Sequence, residues 1–273
     1  MLQVKYARKM SNQHTPLTVH PVPAFSDNYI WLIESPAARQ SLVAVDPGDA
    51  APVIAALESR GASLAAILLT HHHADHIGGV ARLVERWPAA VLAPDDDRID
   101  YRTRTVHDGE RCELPELGLR FEILHVPGHT VSHIAYWGHN ALFCGDTLFS
   151  AGCGRMFEGT PKQMNASLNR LAALPPQTSV YCGHEYTAAN LRFALSVEPG
   201  NRHAQEHSVH VKRLRDAGKP SLPSTLGLEI QVNPFLRCDE AGVREAAARH
   251  AGGALREPAE VFGVLRAWKD QFR

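Results

Sequence analysis

The chain has 273 residues, of which 44% are hydrophobic, and this length suits one large domain or one domain with a smaller appendage. Its 28 basic residues nearly balance its 29 acidic ones, so no general attraction to nucleic acid or to an anionic membrane surface is expected. No apolar run has the length of a transmembrane helix, and five cysteines without Cys-x-x-Cys spacing favour reduced thiols and a cytoplasmic protein.

The first part of the chain reads as strands and helices in alternation. Residues 1–16 are basic but lack the apolar segment of a secretory signal, so we expect an N-terminal extension, with an organelle-targeting leader as the alternative. Short apolar runs predict strands at 17–22, 29–34, 42–46, 65–70, 90–93, 119–125, 133–137, 141–145 and 179–182. Amphipathic spacing predicts helices at 49–60, 78–87 and 162–174. An α/β catalytic domain over residues 17–186 is therefore expected.

The character of the sequence changes after residue 186. Helical patterns occupy residues 188–196, 202–217, 239–250 and 258–272, and a proline-rich link interrupts them at 219–223. We therefore predict a helical C-terminal domain over residues 187–273.

The loop that follows the predicted strand 65–70 is the richest source of metal ligands. His71, His72, His73 and His76 supply four imidazoles within a few positions, and Asp75 adds a carboxylate. Neutral imidazole and carboxylate are donors that zinc and similar divalent metals accept. A solvated polar loop is the alternative, but further donors elsewhere in the chain favour a metal site. His72 lies between ligands, so it is expected to point away from the metal.

Three further strands end in a loop where a possible ligand directly follows a glycine. These ligands are His129, Asp146 and His184. A glycine lets the backbone approach a crowded site without a clash from a Cβ atom. Each of the three could be an ordinary turn on its own. Together with the histidine-rich loop they give seven donors, which indicates a single shared site.

Seven donors divide naturally between two ions. We expect one ion at His71, His73 and His129, the other at Asp75, His76 and His184, and Asp146 bridging both. Three protein ligands for each ion leave positions open, which is typical of a catalytic site. Asp75 and Asp146 are thus the candidate catalytic carboxylates, the first to orient a hydroxide and the second to hold both ions. Zinc is the expected metal, and iron and manganese also suit these ligands.

These motifs, in this order, resemble the metallo-β-lactamase superfamily. The resemblance covers residues 17–186 and implies a four-layer αββα sandwich with a dinuclear site at one edge. Other segments are similar to the glyoxalase II family, the hydroxyacylglutathione hydrolases. They lie at residues 28–29, 145–149, 153–159, 182–187, 233–237 and 266–272.

The second resemblance implies a reaction and a set of substrate contacts. The reaction is hydrolysis of the thioester S-D-lactoylglutathione to D-lactate and glutathione, by hydroxide held between two metal ions. The implied glutathione-binding residues are Arg155, Tyr186, Arg266 and Lys269. Some family members have tyrosine where this chain has Phe157, so any contact through a phenol hydroxyl is missing. We expect a monomer whose partner is this small molecule, with no nucleic acid or membrane partner.

Three other functions compete with this interpretation. A persulfide dioxygenase on the same scaffold needs only one metal, so an intact second ligand group argues against it. A lactonase or β-lactamase fits the metal site but leaves the helical C-terminal domain unexplained. A role in RNA processing lacks a basic surface, because the chain has slightly fewer basic than acidic residues.

Overall fold

The computed structural model describes residues 17–272, so the predicted N-terminal extension lies outside the described residues. Six strands form the first sheet, in the order β1 to β6. They are β1 (Val19–Ala24), β2 (Asn28–Glu34), β3 (Ser41–Val45), β4 (Ser63–Leu68), β5 (Ala90–Ala93) and β6 (Arg104–Thr105). The pairs β1–β2 and β2–β3 are antiparallel, whereas β3 to β6 run parallel to one another.

A second six-stranded sheet has the order β14-β13-β10-β9-β8-β7. Its strands are β7 (Arg111–Leu114), β8 (Leu119–His125), β9 (Ile134–Gly138), β10 (Ala141–Gly145), β13 (Ser179–Cys182) and β14 (Ser224–Thr225). Strands β10 and β13 are parallel, so their carboxyl ends lie side by side. A short hairpin of β11 (Leu148–Phe149) and β12 (Gly152–Cys153) follows β10.

Nine α-helices cover the two sheets within residues 17–272. They are α1 (Ala50–Arg60), α2 (Ala74–Ile77), α3 (Val80–Arg86), α4 (Pro161–Ala172), α5 (Thr187–Val197), α6 (Arg202–Asp216), α7 (Leu226–Val232), α8 (Ala241–Ala251) and α9 (Pro258–Gln271). Short 3₁₀ turns lie at Pro115–Leu117 and Pro234–Leu236. In this described part of the chain, no helix combines the length and apolar character needed to cross a membrane.

Strand β2 shows how the layers are built. Trp31 and Ile33 point into the core between the sheets, where they join residues of the second sheet such as Phe121. The alternate residues Ile30 and Leu32 point to the opposite face and pack in a second core with α1 and α3. A strand covered on both faces is apolar throughout, because side chains alternate between two buried surfaces. The result is the predicted αββα sandwich.

The C-terminal helices extend the outer layer on the second sheet. Helix α9 packs against α4 and α8, and α5 packs against α6. Residues of α4, α5 and α9 such as Leu168, Phe193 and Phe262 belong to the core that the second sheet lines. The helical C-terminal domain is therefore fixed to the sandwich by apolar contacts. The division of the chain at residue 186 stays a prediction.

Two differences from the predicted elements have physical causes. The helix expected at 78–87 starts only at Val80, because Gly79 is its N-cap: the Gly79 N–H donates to the Pro47 carbonyl oxygen at 2.9 Å, outside the helix, and the Gly79 carbonyl oxygen accepts from the Leu83 N–H at 3.1 Å. Strands β6, β7, β11, β12 and β14 were not predicted. They have two to four residues each, which is too short for a period-two pattern to be recognised.

Candidate metal centre

The predicted ligand loops all lie at one edge of the sandwich. The histidine-rich loop follows β4, and the loops with His129, Asp146 and His184 follow β8, β10 and β13. Backbone contacts hold this edge together, since Asn28 forms an isolated bridge with His184 and the Gly183 N–H donates to the Gly145 carbonyl oxygen at 3.0 Å. The strand ends therefore place the seven predicted ligands around one point.

The first donor group is formed by three imidazoles. The Nε2 atoms of His71 and His129 lie 3.1 and 2.9 Å from Nδ1 of His73. His71 and His129 are buried, and His73 is half-buried at the floor of an open cavity. These are the three residues predicted for the first ion, and their ring nitrogens face a common centre.

The second donor group contains one carboxylate and two imidazoles. Oδ2 of Asp75 lies 3.5 Å from Nε2 of His76 and 3.4 Å from Nε2 of His184. Both histidines are buried. These are the three residues predicted for the second ion.

Asp146 lies between the two donor groups. Its Oδ2 is 3.5 Å from Nε2 of His129 in the first group and 3.3 Å from Nε2 of His184 in the second. Its Oδ1 is 3.4 Å from Nε2 of His76. Oδ1 of Asp146 and Nε2 of His76 are buried without a hydrogen-bond partner among the described residues. Buried polar atoms left unpaired in this way fit a cation as their missing partner, and the arrangement is that of a dinuclear metal site.

The histidines of the two groups have pKa values shifted in opposite directions. Burial, together with neighbouring histidines, lowers the pKa of His71 well below its usual value and that of His73 to about 4. These rings are therefore neutral at pH 7, the form that binds a metal. Burial also opposes charge on His76 and His184, but the Asp146 carboxylate outweighs it and raises both pKa values. The negative charge of Asp146 beside these two rings therefore favours a positive charge at this point, which fits a cation.

Two carboxylates that contact the histidines of the second group through Nδ1 were not predicted. Asp46 contacts Nδ1 of His76 at 3.1 Å and also accepts from the backbone N–H and the hydroxyl of Thr70, at 2.8 and 2.7 Å. Asp27 accepts from Nδ1 of His184 at 2.8 Å. Asp46 and His76 also form a possible ligand group with His71. We assign Asp46 a supporting role instead, because its oxygens are already occupied by these hydrogen bonds.

Two histidines near the site lie outside both donor groups. His72 points away, as predicted, with Nδ1 at 3.4 Å from the Asp96 carboxylate. His133 is fully buried and stacks on His71, with ring centroids 4.6 Å apart. Its Nε2 accepts from the backbone N–H of Asp146 at 3.2 Å. His133 thus packs against His71 and holds the loop that carries Asp146 in place.

Two of the predicted glycines permit close approach at the site. A Cβ atom on Gly183 would lie 2.6 Å from Oδ1 of Asp146 and 2.7 Å from Cε1 of His76. Gly145 has φ +46° and its Cβ would lie 2.3 Å from Oγ1 of Thr70. Only glycine leaves room for the ligands at the first position, and the second also needs the left-handed backbone that glycine favours.

The four predicted substrate residues line the same cavity as five of the predicted metal ligands. This cavity has a volume of about 780 Å³ and contains His73, Asp75, His129, Asp146 and His184 beside Arg155, Tyr186, Arg266 and Lys269. It therefore joins the ends of the β-strands to helix α9, which carries the last two of these residues.

The three cations differ in how they are held. Arg155 is largely exposed, and its Nε lies 3.5 Å from the Asp270 carboxylate. Arg266 is only 5% exposed and donates to the Cys153 carbonyl oxygen at 2.9 Å and to Asp270 at 3.0 Å. Burial, followed by the positive charge of Arg266, lowers the pKa of Lys269. Arg155 and Lys269 are thus accessible to a ligand, whereas Arg266 also anchors the β11–β12 hairpin to α9.

Two aromatic rings form walls of the cavity. Tyr186 stacks on His184 with centroids 4.9 Å apart and an angle of 4° between the rings. Phe157, 64% exposed, lies edge-on to His73 and His129 at centroid distances of 5.4 and 5.2 Å. Phe157 therefore gives an apolar surface beside the first donor group, at the position where a phenol hydroxyl was expected to be missing.

Comparisons with known proteins agree with this geometry. Residues 25–184 match the metallo-beta-lactamase superfamily, and residues 185–272 match the hydroxyacylglutathione hydrolase C-terminus. A hydroxyacylglutathione hydrolase from Pseudomonas aeruginosa is 55% identical, with 94% of this chain and 100% of the relative aligned. One from Chromohalobacter salexigens is 52% identical over the same shares of both chains.

Solved structures show the same fold at lower identity. ETHE1 from Myxococcus xanthus superposes with a TM-score of 0.62 at 24% identity, covering 95% of this chain and 100% of that one. TTHA1623, solved in a di-iron-bound form, gives a TM-score of 0.56 at 29% identity, covering 81% of this chain and 100% of its own. With both halves of the chain matched in sequence and fold, the protein belongs to the metallo-beta-lactamase superfamily and, within it, to the hydroxyacylglutathione hydrolase family.

Proposed function

We propose that this protein hydrolyses S-D-lactoylglutathione to D-lactate and glutathione, acting as a monomer in the cytoplasm. The main support is one cavity that contains two linked groups of metal donors and a wall of cationic side chains. The name shared by relatives more than 50% identical, hydroxyacylglutathione hydrolase, supports the same substrate.

Two divalent cations are the proposed cofactors, with zinc as the expected metal and iron or manganese as alternatives. The proposed ligands are His71, His73 and His129 for one ion, Asp75, His76 and His184 for the other, and Asp146 for both. Such cations lower the pKa of water from 15.7 to about 7 and polarise a carbonyl oxygen. Both effects are needed to hydrolyse a thioester at neutral pH.

The side chains of the protein itself are proposed to bind the substrate and to orient the attacking water. Asp146 spans the two donor groups, and Asp75 can orient the attacking water with the oxygen that does not face the histidines. Arg155 and Lys269 are proposed to bind the carboxylates of glutathione, with Arg266 supporting them and Tyr186 packing against the tripeptide. A thiol of pKa about 8.5 leaves readily as the anion, so the reaction needs no dedicated general acid.

The alternative functions are less well supported. A single-metal persulfide dioxygenase would need one donor group, whereas two groups joined by Asp146 are present. A lactonase or β-lactamase has no evident use for α9, which contributes cations to the cavity. An RNA-processing function has no support from the nearly balanced charge of the chain.

The direct test is a thioesterase assay on S-D-lactoylglutathione, run beside metal analysis of the same sample. We expect rapid release of glutathione, about two cations per chain, and loss of activity when a chelator removes them. A β-lactam and a lactone serve as control substrates and should turn over far more slowly. Faster hydrolysis of either control, or glutathione release that is independent of metal, would contradict the proposal.

A further inference from the structure

The turn between β1 and β2 and the first residue of β2 contact the second donor group with two side chains. Asp27 accepts a hydrogen bond from Nδ1 of His184 at 2.8 Å, and Asn28 donates through Nδ2 to Oδ2 of Asp75 at 3.0 Å. The backbone repeats this contact, because the Glu185 N–H donates to the Asp27 carbonyl oxygen at 2.8 Å. A turn far from these residues in sequence thus holds two of the three donors.

Two histidines of the first donor group, His71 and His129, have neutral partners instead. Nδ1 of His71 contacts the Thr70 hydroxyl oxygen at 3.0 Å, and Nδ1 of His129 donates to the Arg155 carbonyl oxygen at 2.7 Å. In the second group, both histidines have a carboxylate in this position. A carboxylate behind a ligating histidine fixes its tautomer and makes the facing nitrogen a better donor. The two groups therefore differ in donor strength.

Of the two supporting carboxylates, only Asp27 can be tested without disturbing the fold. Asp46 is 5% exposed and also accepts two hydrogen bonds from Thr70, so its loss would disturb the loop that carries all the early ligands. The Asp27 side chain is 32% exposed and lies on a surface turn. Substitution there should leave the core intact.

Asp27 also reaches the wall of the substrate cavity. Burial and the nearby Asp27 carboxylate raise the pKa of the Tyr186 hydroxyl, and the Tyr186 ring stacks on His184 with centroids 4.9 Å apart. A ligand that moves Tyr186 would therefore act on the same carboxylate that orients His184. The contact connects a proposed substrate residue to a proposed metal ligand through one side chain.

We propose that Asp27 is a positioning residue for the second cation and that it couples the affinity of this cation to ligand contact at Tyr186. The inference rests on the proposed two-cation hydrolase. Asp27 touches neither cation nor substrate. It acts by holding His184 so that Nε2 faces Asp75 and Asp146.

The first test is competition with a chelator on zinc-loaded protein. Asp27→Asn keeps the size of the side chain and removes its charge, and Asp97→Asn removes a charge from a fully exposed side chain as the matched control. We expect Asp27→Asn to lose one of its two cations at about 10–100-fold lower chelator concentration than the control, the usual effect of losing such a partner. The thermal unfolding midpoints of the two metal-free variants should agree, which shows that the fold is retained.

The second test measures coupling with S-methylglutathione, a thioether that cannot be hydrolysed. In the wild-type protein, S-methylglutathione should change the chelator concentration at which the more weakly bound ion is removed. In Asp27→Asn this change should disappear, because the two binding events are linked only through the contact that Asp27 provides. In steady state, Asp27→Asn with excess zinc should recover most of its kcat but keep a raised KM. A purely structural role would not produce this pattern.

The outcomes separate the two proposals. Wild-type protein with fewer than two cations would overturn both the hydrolase mechanism and this inference. Wild-type protein with two cations, together with Asp27→Asn that matches Asp97→Asn in metal retention and in response to S-methylglutathione, would overturn only the role of Asp27.

Discussion

Replacing Gly183 by alanine adds only one methyl group, yet it should weaken metal binding. The new Cβ would lie 2.6 Å from Oδ1 of Asp146 and 2.7 Å from Cε1 of His76, whereas ordinary contact begins at 3.4 Å. One of these groups must therefore move by about 0.8 Å, the difference between 2.6 and 3.4 Å. Metal–ligand distances tolerate only about 0.2 Å. We expect a loss of metal affinity at least as large as the roughly 10–100-fold caused by losing an outer partner.

The assay is the number of cations per chain in dilute chelator, with turnover measured on the same sample. Gly200→Ala is the matched control, because a Cβ there meets nothing within 4 Å. It should keep two cations and wild-type turnover. Overpacking should also cost Gly183→Ala about 1–3 kcal/mol of folding stability. If Gly183→Ala binds both cations as tightly as Gly200→Ala, the close packing of Asp146 and His76 around this position is wrong.

Three further substitutions test separate parts of the site. His184→Ala should abolish turnover and leave about one cation per chain, and a variant that retains two ions by metal analysis would remove His184 from the ligands. Lys269→Ala should raise KM for the glutathione thioester roughly tenfold with little change in kcat, and an unchanged KM in steady-state kinetics would exclude a contact with substrate. The Arg98 guanidinium lowers the pKa of the Asp96 carboxyl from 3.8 although burial opposes it, so this stabilisation is present above pH 3.8 and is lost as the pH falls below it. At pH 7, Asp96→Asn should therefore lower the free energy of unfolding by about 1–3 kcal/mol, which thermal denaturation measures. The difference in stability between wild type and variant should become smaller as the pH is lowered. A difference that does not change with pH would contradict the ion pair of Asp96 with Arg98.

The proposed metal ligands could be located from the sequence because each lies at the end of a predicted strand, and the structure brings these strand ends together. Each follows an apolar strand, and three of the four ligand loops have a glycine directly before the donor, as at His129 and Asp146. Parallel neighbouring strands such as β10 and β13 then bring their carboxyl ends together. The grouping into two sets of three, with a shared carboxylate, followed from counting donors and from coordination chemistry.

The supporting carboxylates could not be predicted by the same reasoning. Asp27 lies 157 residues from His184 in sequence, and Asp46 lies 30 residues from His76, so no local spacing links them. For Asp46 a signal was present, since it directly follows the apolar strand β3, just as the proposed ligands lie at the ends of their own strands. For Asp27 no such signal existed, because its role depends on how the β1–β2 turn packs against the end of β13.

The burial of Arg266 in the cavity wall is a second feature that the sequence did not predict. Arg266 was placed in the cavity by family resemblance, and it does line the cavity, but it is nearly buried and donates to Cys153 and Asp270. Arg266 lies three residues before Lys269 on one helix, which places both on one face but gives no indication of burial. Burial depends on the β11–β12 hairpin, whose two-residue strands leave no pattern in the sequence.

Anomalous X-ray diffraction from zinc-loaded crystals tests the central claim most directly. We expect two metal peaks roughly 3.5–4 Å apart. One should lie among His71, His73 and His129 and the other among Asp75, His76 and His184, with Asp146 between them. A single peak at full zinc loading, or a second peak away from His184, would contradict the two-cation site on which the proposed thioester hydrolysis depends.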